Sequence, residues 1–199
     1  MNTTETLEQL KGISDIIKQR RTIIPKLFQD KTIDNQVVLE LLENATWAPN
    51  HRKTEPWRFN VFSGASLEKL GDFFQSCYNE KFLNTEKYSE KKFKDLKTKV
   101  LKSSHVIAIG MQRDPDEKVP EWEELAAVAC AVQNLWLSAS AAGLGGYWSS
   151  PGYIMDQFSK LVALQEGERC LGFFYLGVPL EDLPLQSERR PIEEKVNWI

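Results

Sequence analysis

One segment constrains the fold of this chain more than any other: after a polar first turn, Glu123 to Ala142 is almost entirely Ala, Val, Leu and Trp. The pattern predicts an α-helix that is apolar almost all round, and such a helix has to be covered on most sides. Gly143 to Gly146 end it. Its small residues allow another helix, including one from a second subunit, to approach closely. They are Ala126, Ala127, Ala131, Ala139 and Ala142.

The remaining patterns predict helices and strands in an α+β order. Apolar residues at helical spacing predict helices near residues 7–17, 37–45, 67–77, 93–101 and 154–164, with Thr32 or Asp34 as the N-cap of the second helix. Short alternating or apolar runs predict strands at residues 57–62, 105–110 and 170–176. No repeat, low-complexity tract or Pro/Gly-rich linker divides the sequence, so we expect residues 1–199 to form a single domain.

The charge balance argues against nucleic acid as a partner. The chain has 25 basic and 28 acidic residues and a formal net charge of −3, whereas a protein that binds nucleic-acid phosphates usually has a basic excess. The lysine-rich stretch from Glu86 to Lys102 is interrupted by acidic residues, and its apolar residues have helical spacing. A solvated amphipathic helix is therefore favoured over a nucleic-acid-binding face.

The cysteines and the hydropathy predict a cytoplasmic protein. Cys77, Cys130 and Cys170 are odd in number, far apart and in apolar surroundings, which favours buried thiols in a reducing compartment over a disulfide framework. The polar first twelve residues do not resemble a signal peptide. No run of about 18 apolar residues predicts a membrane span, so we expect no membrane partner.

The motifs of common catalytic sites are missing from the sequence. It contains no His-Glu-x-x-His, Cys-x-x-Cys, Gly-x-Ser-x-Gly or Walker sequence. Two histidines, His51 and His105, supply a metal site poorly, and we expect none. The glycines at 143, 145 and 146 follow a helix, which is the wrong order for a Rossmann dinucleotide loop.

Two polar segments are candidates for a binding site. In Arg20-Arg21-Thr22, two guanidinium groups and a hydroxyl at a helix end suit a phosphate and a polyol chain. The same cations could equally complement the dipole at the end of the helix. Residues 48–57 form a polar loop between two prolines that connects a helix to a strand, and binding residues often gather in such loops. The alternative is an ordinary surface connection.

Together, these segments resemble the nitroreductase family. Its members have a helix ending in Arg-Arg-Ser or a near variant, a helix ending in Ala-Pro, a polar loop, and Pro-Trp-x-Phe entering a strand. The corresponding residues here are Arg20-Arg21-Thr22, Ala48-Pro49, and Pro56-Trp57-Arg58-Phe59. The resemblance continues through residues 118–123, 145–150 and 172–179. The sequence is similar to the short YdjA-like subgroup of the family.

The resemblance implies a central, mostly antiparallel sheet flanked by helices, in a homodimer whose C-terminal segment extends over the partner. It implies that FMN is bound at the subunit interface, that NADH or NADPH is the reductant, and that no side chain carries the chemistry in place of the flavin. The activity implied is ping-pong hydride transfer through FMN to nitroaromatics, quinones or related small-molecule acceptors. The alternative is a flavin sensor or FMN reservoir with little turnover.

The resemblance also assigns the cofactor site residue by residue. It implies that the Arg20 segment and the tail arginines bind the phosphate and ribityl chain, and that residues 148–150 lie along the ring. It also implies that Trp47 and His51 contact the flavin from the other subunit. The implied FMN-binding residues are Arg20, Arg21, Thr22, Trp47, His51, Trp148, Ser149, Ser150, Arg189 and Arg190. Many relatives have a cation two positions after Arg-Arg-Ser, where this chain has Ile24, which leaves open the cation that offsets the charge of the reduced ring.

Overall fold

The computed structural model describes residues 2–183 and 186–199 of the chain. In these residues the helices are α1 (Thr3–Gln19), α2 (Asn35–Thr46), α3 (Ala65–Phe82), α4 (Glu90–Leu101), α5 (Glu121–Ala141) and α6 (Gly152–Met155). The strands are β1 (Trp57–Ser63), β2 (His105–Gln112), β3 (Gly145–Ser149) and β4 (Glu168–Gly177). Single turns of 3₁₀ helix lie at Pro25–Leu27, His51–Lys53, Phe158–Lys160 and Ile192–Lys195. No helix in this part of the chain is long and apolar enough to cross a membrane.

The four strands form one antiparallel sheet in the order β1-β2-β4-β3. β2 is buried along almost its whole length, which agrees with its unbroken apolar sequence and its central place. The short strand β3 lies at one edge, and beyond it Thr22 makes a parallel bridge to Gly146. The segment that follows α1 is therefore held against the edge strand. The predicted α+β class with a central antiparallel sheet is confirmed.

Helices cover both faces of the sheet. α5 and α2 pack on one face, around a cluster that includes Val128, Leu135 and Phe174. α3, α4 and α6 pack on the other face, around Phe74, Phe173 and Tyr175. At the start of α2, the Asp34 side chain accepts a hydrogen bond from the backbone N–H of Gln36, as the N-cap pattern predicts.

α5, at Glu121–Ala141, confirms the helix predicted from Glu123 to Ala142, but a single chain covers only part of it. Ala127, Ala131 and Ala139 are buried against the sheet. The opposite face of the helix exposes large apolar side chains, among them Trp122 and Leu125. Cys130 is on this exposed face, so the prediction that all three cysteines are buried is wrong for Cys130 and right for Cys77 and Cys170.

Two of the predicted elements differ from the structure. The segment 145–149 is a strand, although the sequence suggested only the end of a helix, because Gly143 has a φ of +71° and reverses the chain there. The helix predicted over 154–164 is one turn, α6, followed by a separate 3₁₀ turn at Phe158–Lys160. The residues described after position 185 are exposed throughout.

Candidate functional site

The arginine segment at the end of α1 lies beside α5. The Arg20 guanidinium stacks over the Trp136 ring, with its Cζ 4.4 Å from the ring centroid. Arg21 points back along its own helix, where Nη1 donates to the Lys18 carbonyl at 2.6 Å and to the Arg20 carbonyl at 3.0 Å. Arg21 therefore caps the helix as the dipole interpretation predicts, whereas Arg20 is turned towards the body of the protein.

A third arginine, from the tail, joins this segment. Burial lowers the pKa of Arg20, and the positive charges of Arg189 and Arg21 lower it further. The Arg189 side chain is anchored locally, donating to the Ser187 hydroxyl and the Glu188 carbonyl. The Arg20 guanidinium is thus repelled by two other guanidinium groups, and a bound phosphate would relieve that repulsion. Arg190 follows in the same exposed tail.

Strand β3 begins where the arginine segment ends. The Ile23 N–H donates to the Gly146 carbonyl at 3.0 Å, which fixes Thr22 next to the strand edge. Gly146 has no room for a side chain, because a Cβ there would lie 2.5 Å from Cζ of Phe174 and 2.9 Å from Nε1 of Trp136. The glycine thus lets Trp136 pack against the strand and supports the ring on which Arg20 stacks.

The residues 148–150 continue this edge. Because the Gly146 carbonyl points away from β4 towards Ile23, the backbone N–H and C=O of Trp148, two residues on, point to the same open edge. The Trp148 indole packs over Gly172, and its Nε1 is buried without a hydrogen-bond partner. Trp136 Nε1 is likewise buried and unpartnered. Ser149 is half-buried and Ser150 exposed.

Beyond the open edge, a groove separates β3 from α4. One part of it, about 370 Å³, is lined by Pro25, Lys99 and Tyr147, and an adjoining part, about 360 Å³, by Lys99, Ser149 and Tyr153. Lys99 therefore lies where the two parts meet. Its Nζ is 5.4 Å from the centroid of the Tyr175 ring, whose hydroxyl is buried and unpartnered. Burial lowers the pKa of Lys99, as does the charge of Lys92, while Asp95 raises it.

From the sequence, Lys99 is one of several solvated lysines, and its position in the groove was not predicted. A signal was present: Lys92, Leu96 and Lys99 have the spacing of one helix face, and Leu96 is a core residue. Lys99 is two helical turns after Lys92 and about one turn after Leu96, so its side chain points partly towards the core. Many relatives have a cation at the position of Ile24. Lys99 is a candidate for the cation that offsets the charge of the reduced ring in this chain.

Trp47 and His51 are in a different place. Trp47 caps α2 and is 78% exposed. His51 Nδ1 contacts Glu123 Oε2 at 2.6 Å, at the first turn of α5. Arg20 contacts the same helix thirteen residues later, at Trp136, which is about 20 Å along the axis at 1.5 Å per residue. Within one chain, the predicted site residues therefore form two groups, and the structure does not bring them together.

The group around Arg20 and β3 fits a flavin mononucleotide. It offers the Arg20 guanidinium, with Arg189 near it, for a phosphate and the open backbone edge at Trp148 for a ring, while the half-buried Lys99 lies on the α4 face of the same strand. Guanidinium groups beside an open backbone edge suit a ligand that has a phosphate and a planar ring. The geometry is that of a candidate site for an anionic, planar cofactor at a sheet edge.

Comparison with known proteins gives the class and the family. The nitroreductase-like family protein from Bacillus cereus has the same fold, with a TM-score of 0.79, 32% identity, and coverage of 94% of this chain and 95% of that one. The FMN-dependent nitroreductase NfnB from Mycobacterium smegmatis, solved in complex with NADPH, shares the fold at a TM-score of 0.76 and 15% identity, covering 96% and 99% of the two chains.

The sequence comparisons agree. The nitroreductase family model matches residues 17–178. YfhC of Bacillus subtilis, which is provisionally named an NAD(P)H nitroreductase, is 30% identical over 197 residues that span 98% of both chains. The chain belongs to the nitroreductase family.

Proposed function

We propose that this protein is an FMN-dependent NAD(P)H oxidoreductase that reduces nitroaromatics, quinones or related acceptors. The observation that carries the proposal is the Arg20 guanidinium over Trp136, next to the open backbone edge of β3 where Thr22 meets Gly146. Names of relatives support the choice of cofactor and reductant. A nitroreductase-fold protein from Desulfovibrio desulfuricans was solved with FMN, and NfnB was solved with NADPH.

In this proposal, Arg20, Arg21 and Arg189 bind the phosphate, with Arg190 next to them in the tail, and Thr22 binds the ribityl chain. The Trp148 N–H, on the open edge, donates to the ring, and residues 149–150 extend that contact. Lys99 offsets the negative charge that the ring gains on reduction. A bound FMN would supply hydride uptake from NAD(P)H and two-electron transfer to the acceptor, which would allow the nucleotide to leave before the acceptor binds, in a ping-pong order.

The proposal is tested on the purified protein. We expect a yellow protein whose heat-released flavin is identified as FMN by chromatography, and NAD(P)H oxidation that accelerates when a quinone or nitroaromatic is added. A flavin that remains bound without turnover would instead indicate a sensor or reservoir. Protein that is colourless and takes up no added FMN would contradict the proposal altogether.

We further propose that the active unit is a homodimer formed through the exposed face of α5. Trp122 and Leu125 on α5 are exposed, as are the apolar residues of α1, such as Leu10 and Ile13. The tail exposes Trp198 at 92%. Apolar surface distributed over a central helix, a terminal helix and a tail is typical of a face that a second copy covers. A shared site would then combine the Arg20 group of one chain with Trp47 and His51 of the other.

Cys130 provides the test of this interface. It is exposed on α5, while Cys77 and Cys170 are buried, so a thiol reagent such as DTNB reports mainly on Cys130 in the native protein. We expect light scattering to give twice the monomer mass, with slow Cys130 labelling that becomes fast when the dimer is dissociated by dilution. A monomeric protein in which Cys130 reacts at once would contradict the proposal. Free thiols are also consistent with the reducing cytoplasm that we propose as its location.

A further inference from the structure

The loop that contains His51 has an unusual backbone. Arg52, Lys53 and Glu55 have φ values of +55°, +54° and +43°, a region that non-glycine residues rarely adopt. Hydrogen bonds hold the loop in this shape: the Glu55 N–H donates to Asn50 Oδ1 at 3.1 Å, and Arg58 Nη1 donates to the Glu55 carbonyl at 3.0 Å. Strained backbone of this kind persists where the surroundings fix it, and it is found most often at functional sites.

Glu123 ties this loop to α5. Its Oε2 is 2.6 Å from Nδ1 of His51. The helix turn that supplies it is itself held firmly, because the neighbouring Glu121 pairs with Arg169 at 2.6 Å, and the buried Glu124 pairs with Arg113. The carboxylate of Glu123 therefore has a fixed position. A carboxylate at Nδ1 makes that nitrogen the donor, and this sets both the tautomer and the direction of the ring.

The second ring nitrogen of His51 is left available. The His51 side chain is 58% exposed, and no hydrogen bond joins its Nε2 to the residues that the structure describes. His105, the other histidine, has both ring nitrogens engaged: Nδ1 with the Ser104 hydroxyl at 3.0 Å, and Nε2 with Asn35 Oδ1 at 2.9 Å. His105 is also fully buried. Of the two imidazoles, His51 alone can exchange a proton with a bound molecule.

We propose that His51 is a proton donor to the electron acceptor and that Glu123 is the residue that positions it. The inference rests on the proposed oxidoreductase function and on the shared site. A quinone that has received a hydride is a hydroquinone monoanion and needs one proton. Protonated His51 gives up the proton on Nε2, so an N–H bond breaks as the O–H bond of the product forms. The imidazole keeps its Nδ1 proton, which is hydrogen-bonded to Glu123, and regains its Nε2 proton from solvent. The hydride comes from the NAD(P)H-reduced protein.

A pair of acceptors separates proton delivery from every other role of His51. Menadione needs a proton to complete its reduction, whereas ferricyanide takes electrons singly and needs none. In His51→Gln we expect the ratio of menadione rate to ferricyanide rate to fall by about a hundredfold or more, the usual contribution of a general acid. Glu123→Gln should lower the ratio by a smaller factor. Glu121→Gln, in the same helix turn but paired with Arg169, is the matched control and should leave the ratio unchanged.

The ratio is insensitive to partial flavin loss, since fewer loaded sites lower both rates alike. A wild-type protein that reduces neither acceptor contradicts the proposed function itself. A wild-type protein that reduces both, with an unchanged ratio in His51→Gln, contradicts only the role of His51.

A second measurement needs no turnover and no flavin. The chain has two histidines, so ¹⁵N NMR of the histidine-labelled apoprotein shows two imidazoles, and His51→Gln identifies the signal of His51. We expect neutral His51 to have its proton on Nδ1, and Glu123→Gln to shift it towards the Nε2–H tautomer. A wild-type His51 with an unprotonated Nδ1 would overturn the positioning role of Glu123.

Discussion

Replacing Arg20 with alanine tests the cofactor site where the structure is most specific. Its guanidinium is half-buried over Trp136 and is repelled by the charges of Arg189 and Arg21. A phosphate bound there would gain charge-assisted hydrogen bonds worth about 1.5–3 kcal/mol each. Loss of one such bond raises the Kd for FMN roughly tenfold to a hundredfold, since each 1.4 kcal/mol is a factor of ten.

The same substitution should cost the fold little. Removing Arg20 loses a cation–π contact of about 0.5–1 kcal/mol, and it also relieves repulsion from the other two arginines. The FMN affinity is measured by the quenching of flavin fluorescence on titration with apoprotein, and the stability by urea unfolding of the apoprotein. Lys18→Ala is the matched control: it removes an exposed charge from the last turn of the same helix and should change the Kd less than twofold. Unchanged FMN affinity in Arg20→Ala would refute the phosphate assignment.

Three further outcomes follow from individual contacts. Gly146→Ala should destabilise the protein by about 1–3 kcal/mol in urea unfolding, because the new Cβ would lie 2.5 Å from Phe174, whereas Gly12→Ala, with nothing within 4 Å in α1, should stabilise it by about 0.5–1 kcal/mol. Burial lowers the pKa of His105, so the stability it contributes is full above about pH 6.5 and is lost as the pH falls towards its folded pKa; in His105→Gln, the urea midpoint should drop less between pH 7.5 and 5.5. Lys99→Met should make the flavin midpoint potential more negative, by about 30 mV for each tenfold loss in preference for the reduced form; an unchanged potential would remove Lys99 from the site.

The sequence predicted the parts of the fold that hydrophobic spacing determines. The helix that became α5, the buried strand β2 and the Asp34 cap were all identified, because burial on one or several faces leaves a periodic pattern. The edge strand β3 was missed. Five residues with two glycines and two large aromatics show no clear alternation, and their pairing with β4 depends on residues that are distant in sequence.

Only some residues of the candidate site could be predicted from the sequence, for a related reason. Arg20 and Trp148 could be found because they belong to recognisable motifs. Lys99 could not, because its environment depends on how α4 packs against β3, and the lysines around it on the same helix are solvated. Arg189 was assigned to the phosphate only through the resemblance to the family, because no periodic pattern in the tail indicates that it lies near Arg20.

A mixed dimer tests the division of the site between two chains. The arginine group and His51 contact α5 at positions about 20 Å apart along its axis, so we expect different chains to supply them to one flavin. One chain would have Arg20→Ala with Arg21→Ala, and the other His51→Ala, with different affinity tags to purify the heterodimer. In a shared site, one cleft receives both lesions and the other is intact, so about half of the clefts should bind FMN with wild-type affinity. Two clefts that both bind FMN more weakly than wild type would show that each chain builds its flavin site alone, and the 20 Å separation would then have to close within one chain.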